Sequence, residues 1–308
     1  IYTEEIATDE LRGKSEQQRR KWRNAKKRGV DLFVRINGDL DMEEITREHA
    51  LAMWRWWQGK IAPKAGKPTH TPSIGNRDMG AMRTLYADYF KHVGQHDRPN
   101  PFAGLSFKER DSHKRVRPAF TVDALKAIIA PGALAGMNDE LRAATLALIE
   151  TGCRPSELVN LTAAQINAGA DVPHIVIEPR NDPEAPRELK SGTSERKVPL
   201  VGVALEVFKR FPEGFPRYRE REEALSAAAN KFLRENGLCP DRKLTIYGFR
   251  HAFEDRMKEA GIDAELRRIL MGHKVDRETY GTGGSLEWRR QELEKIALPF
   301  DAAAISQR

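Results

Sequence analysis

Cysteine is scarce in this sequence. Two cysteines in 308 residues, Cys153 and Cys239, are too few for a disulfide framework. Long apolar runs are missing as well, so no stretch has the length of a membrane span, and none has the pattern of a secretory signal peptide. We therefore expect a cytoplasmic protein with no membrane partner. The sequence starts at Ile1 rather than at Met, so we expect further residues upstream in the natural chain.

Positive charge is what the sequence has in excess. Lys and Arg number 52 against 45 Asp and Glu, which gives a net charge of +7 and a pI near 9.3. An excess of positive charge favours a polyanionic partner, and nucleic acid is the first candidate. The excess is uneven, because the stretch from Arg12 to Arg28 holds nine Lys and Arg and one Glu. The alternative is that this stretch is simply a solvated basic helix face.

Apolar spacing predicts a helical first domain over residues 1–105. Residues 1–30 are interpreted as a basic helical lead-in, Thr46 as the N-cap of one helix, and Ser73 to Val93 as another helix. The helix after Thr46 contains three tryptophans at helical spacing, which favours core packing over an aromatic binding site. They are Trp54, Trp56 and Trp57.

Residues 106–119 are predicted to be a basic interdomain linker. This segment has few apolar residues, and its charge suits a strand that lies along a phosphate backbone. Its candidate contacts are Lys108, Arg110, Lys114, Arg115 and Arg117. In the basic lead-in, the corresponding candidates are Arg19, Arg20 and Lys21.

The second predicted domain, residues 120–308, is mainly helical with a small β-sheet. Short β runs are predicted at 174–177 and 196–200, on either side of a loop. Capping residues and stop signals place helices between and after these runs. The predicted N-caps are Thr121, Thr245, Asp263 and Ser285, and the helix after Ser285 is predicted to reach Leu298.

Charged and polar residues interrupt this domain at defined places. Arg154 stands in the apolar stretch LALIETGCRPSELVNLT, where burying its charge without a partner would be costly. In YGFRH, Tyr247 and Arg250 share one helix face, which His251 borders. His273 follows the helix-stopping Gly272.

Together, these pieces resemble the tyrosine recombinases, the phage-integrase type of site-specific recombinase. The family pattern is an arginine in a TGxRxxEL box, a hairpin lysine, an HxxRH box, a GH box and a nucleophilic tyrosine. The matching stretches stand in the same order across the second domain. They are TGCRPSEL with Arg154, ELKSGTSERKVPL with Lys190, YGFRH with Arg250, GH with His273, and ETYG with Tyr280.

Two features depart from the family pattern. The first position of the HxxRH box is Tyr247 rather than His, and we expect its hydroxyl to donate a hydrogen bond. The gap between His273 and Tyr280 is shorter than is usual in the family. Glu157 lies three residues after Arg154, and the resemblance implies that it holds the guanidinium when DNA is absent.

The resemblance implies DNA strand breakage and rejoining. Tyr280 would attack the scissile phosphate to form a 3′-phosphotyrosyl link, and Lys190 would protonate the departing 5′-oxygen. Arg154 and Arg250 would stabilise the phosphorane-like transition state. His273 and Tyr247 would bind the phosphate or assist proton transfer. Neither a cofactor nor a metal is needed, and the sequence has no Cys/His cluster typical of a zinc site.

The implied partner is double-stranded DNA, with a homotetramer on two duplexes. The C-terminal helix is expected to dock on a neighbouring protomer, and packing on its own chain is the alternative. Two other functions remain open at this point: a non-catalytic DNA-binding protein with the recombinase fold, and a relaxing enzyme similar to type IB topoisomerases.

Overall fold

The chain folds into two compact units. A computed structural model describes residues 1–109, 118–189, 192–274 and 283–306. The first unit comprises Ile1–Val116 and Arg180–Glu188, and the second comprises Arg117–Pro179 and Leu189–Arg308. The sequence pattern did not indicate that 180–188 would group with the first unit. Within the described residues, no helix has the length and apolar character needed to cross a membrane.

The first unit is helical. A π-helical turn, Tyr2–Ile6, precedes α1 (Thr8–Leu11) and α2 (Glu16–Asn37), and the helices α3 (Arg47–Ile61) and α4 (Pro72–His92) follow. Ser15 starts α2 through a reciprocal capping box with Gln18. Gly38, with a φ of +85°, ends it. Helix α2 therefore runs well past residue 30, where the basic lead-in was predicted to end.

The tryptophans of α3 pack into the core of the first unit, as predicted. Trp57 is buried, Trp56 meets it edge to face, and Trp54 stacks on Phe107 with 5.2 Å between the ring centroids. The same core takes Leu32 and Phe33 from α2. The C-terminal half of the basic helix is thus an integral part of this unit.

The second unit is mainly α-helical with a small sheet, so the predicted fold class is confirmed. Three helices precede the sheet: α5 (Val122–Ile129), α6 (Asp139–Thr151) and α7 (Pro155–Leu158). The strands are β1 (Ile166–Asn167), β2 (His174–Ile177) and β3 (Arg196–Pro199). The chain continues with α8 (Gly202–Arg210), α9 (Glu222–Glu235), α10 (Tyr247–Glu259), α11 (Ala264–Met271), α12 (Leu286–Glu294) and α13 (Ala303–Ser306).

The strands described in this unit form one antiparallel sheet in the order β1–β2–β3. Ile175 pairs with Ile166 on one side and with Val198 on the other. Ile175 and Val198 are fully buried, so one face of the sheet joins the core around α6. Strand β1 was not predicted, because two residues are too few to show an alternating pattern.

Two helix boundaries of the second unit differ from the prediction. Helix α10 has Ile246 rather than Thr245 as its N-cap, and the carbonyl of Thr245 accepts the N–H of Gly248 at 2.7 Å. Helix α12 ends at Glu294, before the predicted end at Leu298. Its Leu293 is buried against α10 and α11 of the same unit. In this structure the helix therefore packs on its own chain.

Candidate active site

Gly152 turns the chain sharply at the end of α6. It adopts the left-handed conformation with a φ of +59°, and an added Cβ would lie 2.4 Å from the Phe253 ring. A residue with a side chain is therefore excluded twice, by backbone strain and by lack of space. Two residues later Arg154 becomes the N-cap of α7, with Pro155 at the first helical position.

Glu157 binds Arg154 at two points. One carboxylate oxygen accepts the backbone N–H of Arg154 at 2.8 Å, and the other accepts a short hydrogen bond from its guanidinium. The Arg154 side chain is 14% exposed and that of Glu157 only 6%. The carboxylate is thus shielded from water, while part of the guanidinium remains accessible.

A second arginine reaches the same carboxylate. Arg196, at the start of β3, approaches Oε2 of Glu157 with its Nη2 at 2.9 Å. The Arg196 side chain is 1% exposed. Because residues two apart in a strand share a face, Arg196 points inward with the fully buried Val198, whereas Lys197 between them is exposed. That alternation is the signal in the sequence that could have revealed Arg196.

Arg250 comes to the cluster from α10. Its Nη1 donates to the carbonyl of Gly152 at 2.6 Å, and its Nη2 donates to the carbonyl of Met271 and to Nε2 of His273, the latter at 3.2 Å. Accepting this hydrogen bond requires Nε2 to be unprotonated, so the imidazole is neutral with its proton on Nδ1. Burial, together with the neighbouring charge of Arg250, lowers the pKa of His273 and favours that state.

Guanidinium groups outnumber carboxylates in this cluster. Burial by itself would raise the pKa of Glu157, but Arg196 and then Arg154 outweigh burial and lower it. The pKa of Arg250 is lowered by burial and by the charge of Arg154. Among the described residues, Glu157 is the carboxylate that hydrogen-bonds Arg154 and Arg196, whereas Arg250 donates to two carbonyl oxygens and to His273. The arrangement therefore has positive charge left for an anion.

The match to a family agrees with this geometry. The model of the phage integrase family matches residues 120–281, which is more than half of the 308 residues. The chain belongs to the phage integrase family. Its members are tyrosine recombinases, so the resemblance drawn from the motifs is confirmed at the level of the family.

Solved integrase structures share the fold. The Tn1549 transposon integrase in complex with transposon right end DNA gives a TM-score of 0.58 at 15% identity over 93% of each chain. A lambda integrase dimer bound to a COC′ core site gives 0.55 at 16% identity, over 90% of this chain and 89% of that one. A lambda integrase tetramer bound to a Holliday junction gives 0.53 at 17%, over 87% and 71%. No curated protein matches this chain.

The first turn of α10 carries the substituted position of the integrase pattern. Tyr247 is its first helical residue, and the Tyr247 ring packs edge to face on His251 with 5.5 Å between centroids. Arg250, three residues after Tyr247, is buried in the cluster already described. The contact of the two rings is consistent with the shared helix face inferred from the sequence.

Several predicted site residues lie outside the described part of this integrase-family chain. The hairpin lysine Lys190 and the tyrosine Tyr280 are among them. So are four of the five candidate DNA contacts in the linker, namely Arg110, Lys114, Arg115 and Arg117. The structure brings together Arg154, Glu157, Arg250 and His273, and it adds Arg196 to them.

The basic segment is more structural than its charge suggests. Arg19 donates to the carbonyls of Leu11 and Lys14 and thereby closes the turn before α2. Arg28 pairs with the buried Asp78 of α4. By contrast, Arg20 in α2 is exposed. Lys108, the one linker candidate that the structure describes, is also exposed.

Proposed function

We propose that the chain is a site-specific DNA recombinase, an integrase that cleaves and rejoins DNA through a 3′-phosphotyrosyl intermediate. The observation that carries this proposal is the arginine cluster: Arg154 and Arg196 bind the Glu157 carboxylate, and Arg250 lies within electrostatic range of both Arg154 and Glu157, so positive charge is left over. A scissile phosphate supplies the missing negative charge. Planar guanidinium groups suit it because they offer parallel N–H donors to two oxygens.

The arrangement is prepared before the substrate arrives. Arg250 is held by two backbone carbonyls, so its charge needs no reorganisation when a phosphate enters. Arg154 is held by Glu157 and is partly exposed, so it can exchange that carboxylate for a phosphate oxygen. Stabilisation by donors fixed in advance is the largest single contribution in many enzymes that transfer charged groups.

Tyr280 and Lys190 perform the covalent step in this proposal. The Tyr280 oxygen attacks phosphorus, the bond from phosphorus to the 5′-oxygen breaks, and Lys190 gives its proton to that oxygen. His273 is neutral, so it can take the tyrosine proton or hydrogen-bond the phosphate. The 5′-hydroxyl of a partner strand then attacks the phosphotyrosine. The link conserves the bond energy, so rejoining requires no added energy source.

Structural relatives support double-stranded DNA as the partner. The Tn1549 and lambda integrases in those structures are bound to DNA, and one lambda assembly is a tetramer on a Holliday junction. For this chain we propose a homotetramer on two duplexes, with the exposed Arg20 and the linker residues from Lys108 to Arg117 along the phosphates. Because Arg19 closes a turn of its own unit, Arg20 is the stronger candidate of the two.

A nicked suicide duplex tests the proposal directly. Its cleaved strand loses a short fragment, so the covalent protein–DNA link cannot be resealed and persists in SDS. We expect an adduct with the natural chain and none with Tyr280→Phe, which should still bind the duplex. An undiminished adduct in Tyr280→Phe would assign the nucleophile elsewhere. If the natural chain forms no adduct on duplexes that carry the ends of its mobile element, the DNA segment that such an integrase would move, the result would favour a DNA-binding protein without catalysis.

The general acid is tested by changing the leaving group. Lys190→Ala should slow cleavage by about 10² to 10⁴, the usual contribution of a positioned acid. A 5′-thiolate leaves without a proton, so a substrate with a 5′-bridging sulfur should restore the rate of this variant. Lys197→Ala is the matched control, because Lys197 is exposed on β3 and points away from the cluster. Loss of cleavage in Lys197→Ala instead would reassign the acid.

A further inference from the structure

Arg196 lies at the junction of the segments that carry the site. We propose that Arg196 is a positioning residue: it keeps Glu157 in place when Arg154 turns to the phosphate, and it fixes the turn that leads to His273. This inference rests on the proposed function. It assigns a task to a residue that stands in the stretch ELKSGTSERKVPL but is not one of the predicted site residues.

The contacts of Arg196 join three separate segments. Its Nη2 binds Glu157 at 2.9 Å, its Nη1 donates to the carbonyl of Ser194 at 2.7 Å, and its Nε donates to the carbonyl of Leu270 at 2.8 Å. Leu270 stands near the end of α11, and three residues later comes His273. One guanidinium therefore links the TGCRPSEL stretch that contains Arg154, the hairpin, and the turn that leads to His273.

The space around this guanidinium is fully used. Gly272 has a φ of +59°, and a Cβ there would lie 2.7 Å from Nη1 of Arg196 and 3.2 Å from Cα of Ser194. The turn before His273 thus rests directly on Arg196. A side chain that is 1% exposed cannot reach a DNA phosphate, so Arg196 acts on the reaction through the residues it holds.

The two oxygens of Glu157 show how the exchange can work. Oε1 binds the Arg154 guanidinium and, at 3.3 Å, Nη1 of Arg196, whereas Oε2 binds Nη2 of Arg196 and the backbone N–H of Arg154. When the Arg154 side chain moves to a phosphate, the contacts at Oε2 remain. A buried carboxylate that lost all its cations would be costly. Arg196 removes that cost, so Arg154 can leave Glu157 and return.

Glu157 is surrounded by groups whose charges bear on its ionisation. Arg154 and Arg196 touch it, the Ser194 hydroxyl accepts a hydrogen bond from Arg154 at 3.3 Å, and the charge of Arg250 lies within range of the same cluster. The Cys153 thiol is also close, and burial raises its pKa and so favours its neutral form. Without Arg196, burial would be opposed mainly by Arg154, so the pKa of Glu157 would rise and its carboxyl would take up a proton at a higher pH than in the natural chain. A neutral carboxyl holds Arg154 less firmly, so cleavage should then decline as the pH falls.

Single-turnover cleavage of the suicide duplex, at saturating protein, tests the assignment. For Arg196→Met we expect a rate about 10- to 100-fold below that of the natural chain, within the range known for misplaced catalytic groups. We also expect an acidic limb in its pH profile that the natural chain lacks. Arg196→Lys restores the positive charge but not the planar pair of guanidinium donors. Its pH profile should therefore lack the acidic limb, while its cleavage rate stays reduced. DNA affinity should change little in either variant.

Arg256 provides the matched control. It is a buried arginine of the same unit, paired with the fully buried Glu150 at 3.2 Å and outside the cluster. Arg256→Lys should lower the melting temperature as Arg196→Lys does, yet leave the rate and the pH profile of the folded protein unchanged. Equal rate losses in the two variants would reduce Arg196 to a structural role and overturn the proposal.

A double-variant cycle decides whether Arg196 acts through Glu157. Combined with Glu157→Gln, the Arg196→Lys change should reduce the rate less than it does alone, because both act on the same contact. Independent effects that multiply would contradict the inference, and Arg196→Lys remains measurable if Arg196→Met does not fold. A natural chain that forms no adduct would reject the proposed function itself, whereas an active Arg196→Lys with natural rates would reject only the positioning role.

Discussion

Two buried carboxylates of the second unit, seven residues apart, are held in different ways. Glu150 pairs with Arg256 and accepts the N–H of Leu298 at 3.1 Å, while its Oε2 has no hydrogen-bond partner in the part of the chain described. Glu157 receives two guanidinium groups and a backbone N–H. Burial raises the pKa of Glu150, whereas Arg196 and Arg154 outweigh burial and lower the pKa of Glu157.

The ratio of cations to carboxylates separates a structural pair from a candidate site. Arg256 also donates to the carbonyls of Ile149 and Ile296, so the Glu150 pair joins α6, α10 and the segment after α12. Arg154 and Arg250, near Glu157, keep charge that the one carboxylate does not balance. A one-to-one ion pair is neutral and needs no bound anion. The unbalanced cluster carries excess positive charge, which an anion would balance.

The largest expected effect comes from removing the accessible cation of the unbalanced cluster. Arg154→Ala should slow single-turnover cleavage by about 10² to 10³, the usual cost of losing one transition-state donor. It should leave folding largely intact, because Arg196 still neutralises Glu157. Arg256→Lys serves again as the buried control. Comparable losses of cleavage in Arg154→Ala and Arg256→Lys would contradict the distinction between the Glu157 cluster and the Glu150–Arg256 pair.

A smaller difference is expected in stability. Glu157→Gln removes the partner of two arginines, so we expect it to cost about 3 kcal/mol of unfolding free energy. Glu150→Gln should cost about 1 kcal/mol, since burial already disfavours the charge of that carboxyl. Urea unfolding of both variants measures the difference. A duplex that carries the specific site should narrow this difference in unfolding free energy. Its phosphate would replace the lost negative charge at the Glu157 cluster and not at Glu150.

The pH dependence should have opposite signs at the two carboxylates. The pKa of Glu157 in the folded state is below the ordinary 4.5, so its contribution is full above that value and is lost as the pH falls through the folded pKa. The pKa of Glu150 is raised, so its contribution is present below 4.5 and is lost as the pH rises through the folded pKa.

Unfolding of the two Gln variants across the acid range checks these signs. The deficit of Glu157→Gln relative to the natural chain should grow as the pH rises from the acid range towards 7. The deficit of Glu150→Gln should shrink over the same interval. Parallel curves would mean that the two carboxylates have similar surroundings in solution.

The smallest effect concerns the imidazole beside the unbalanced charge. His273 should titrate below the ordinary 6.5 in the free protein, because burial and the charge of Arg250 favour its neutral form. A bound phosphate should raise the His273 pKa by cancelling part of that charge. NMR titration with and without a duplex gives both values. A pKa that DNA leaves unchanged would place the phosphate away from His273.

Much of the fold could be predicted from the sequence, because capping residues and apolar periodicity are local signals. Asp263 and Gly272 mark the ends of α11 as predicted, and Thr121 caps α5. The start of α10 was misplaced by one residue, since a threonine before a helix is a preference and not a requirement. The family followed from five motifs in order, although none of them is specific alone.

The part of the site that the sequence missed depends on tertiary contacts. Arg196 meets Glu157, Leu270 and Ser194, and the first two are 39 and 74 positions away in the chain. No local pattern encodes such distances. The prediction that Arg19 contacts DNA has a similar weakness, because charge alone does not show that its side chain closes a turn. Lys190 and Tyr280 rest on the motif match, and their placement stays a prediction.

The central claim is that the unbalanced arginine charge serves the scissile phosphate. A duplex with a neutral methylphosphonate at the cleavage position removes the negative charge that Arg154 would bind, and it leaves the rest of the substrate unchanged. We predict that Arg154→Ala, about 10² to 10³ slower on the natural duplex, loses most of this deficit on the neutral one. An equal deficit on both substrates would contradict the account, because Arg154 would then act without regard to the charge on the phosphate.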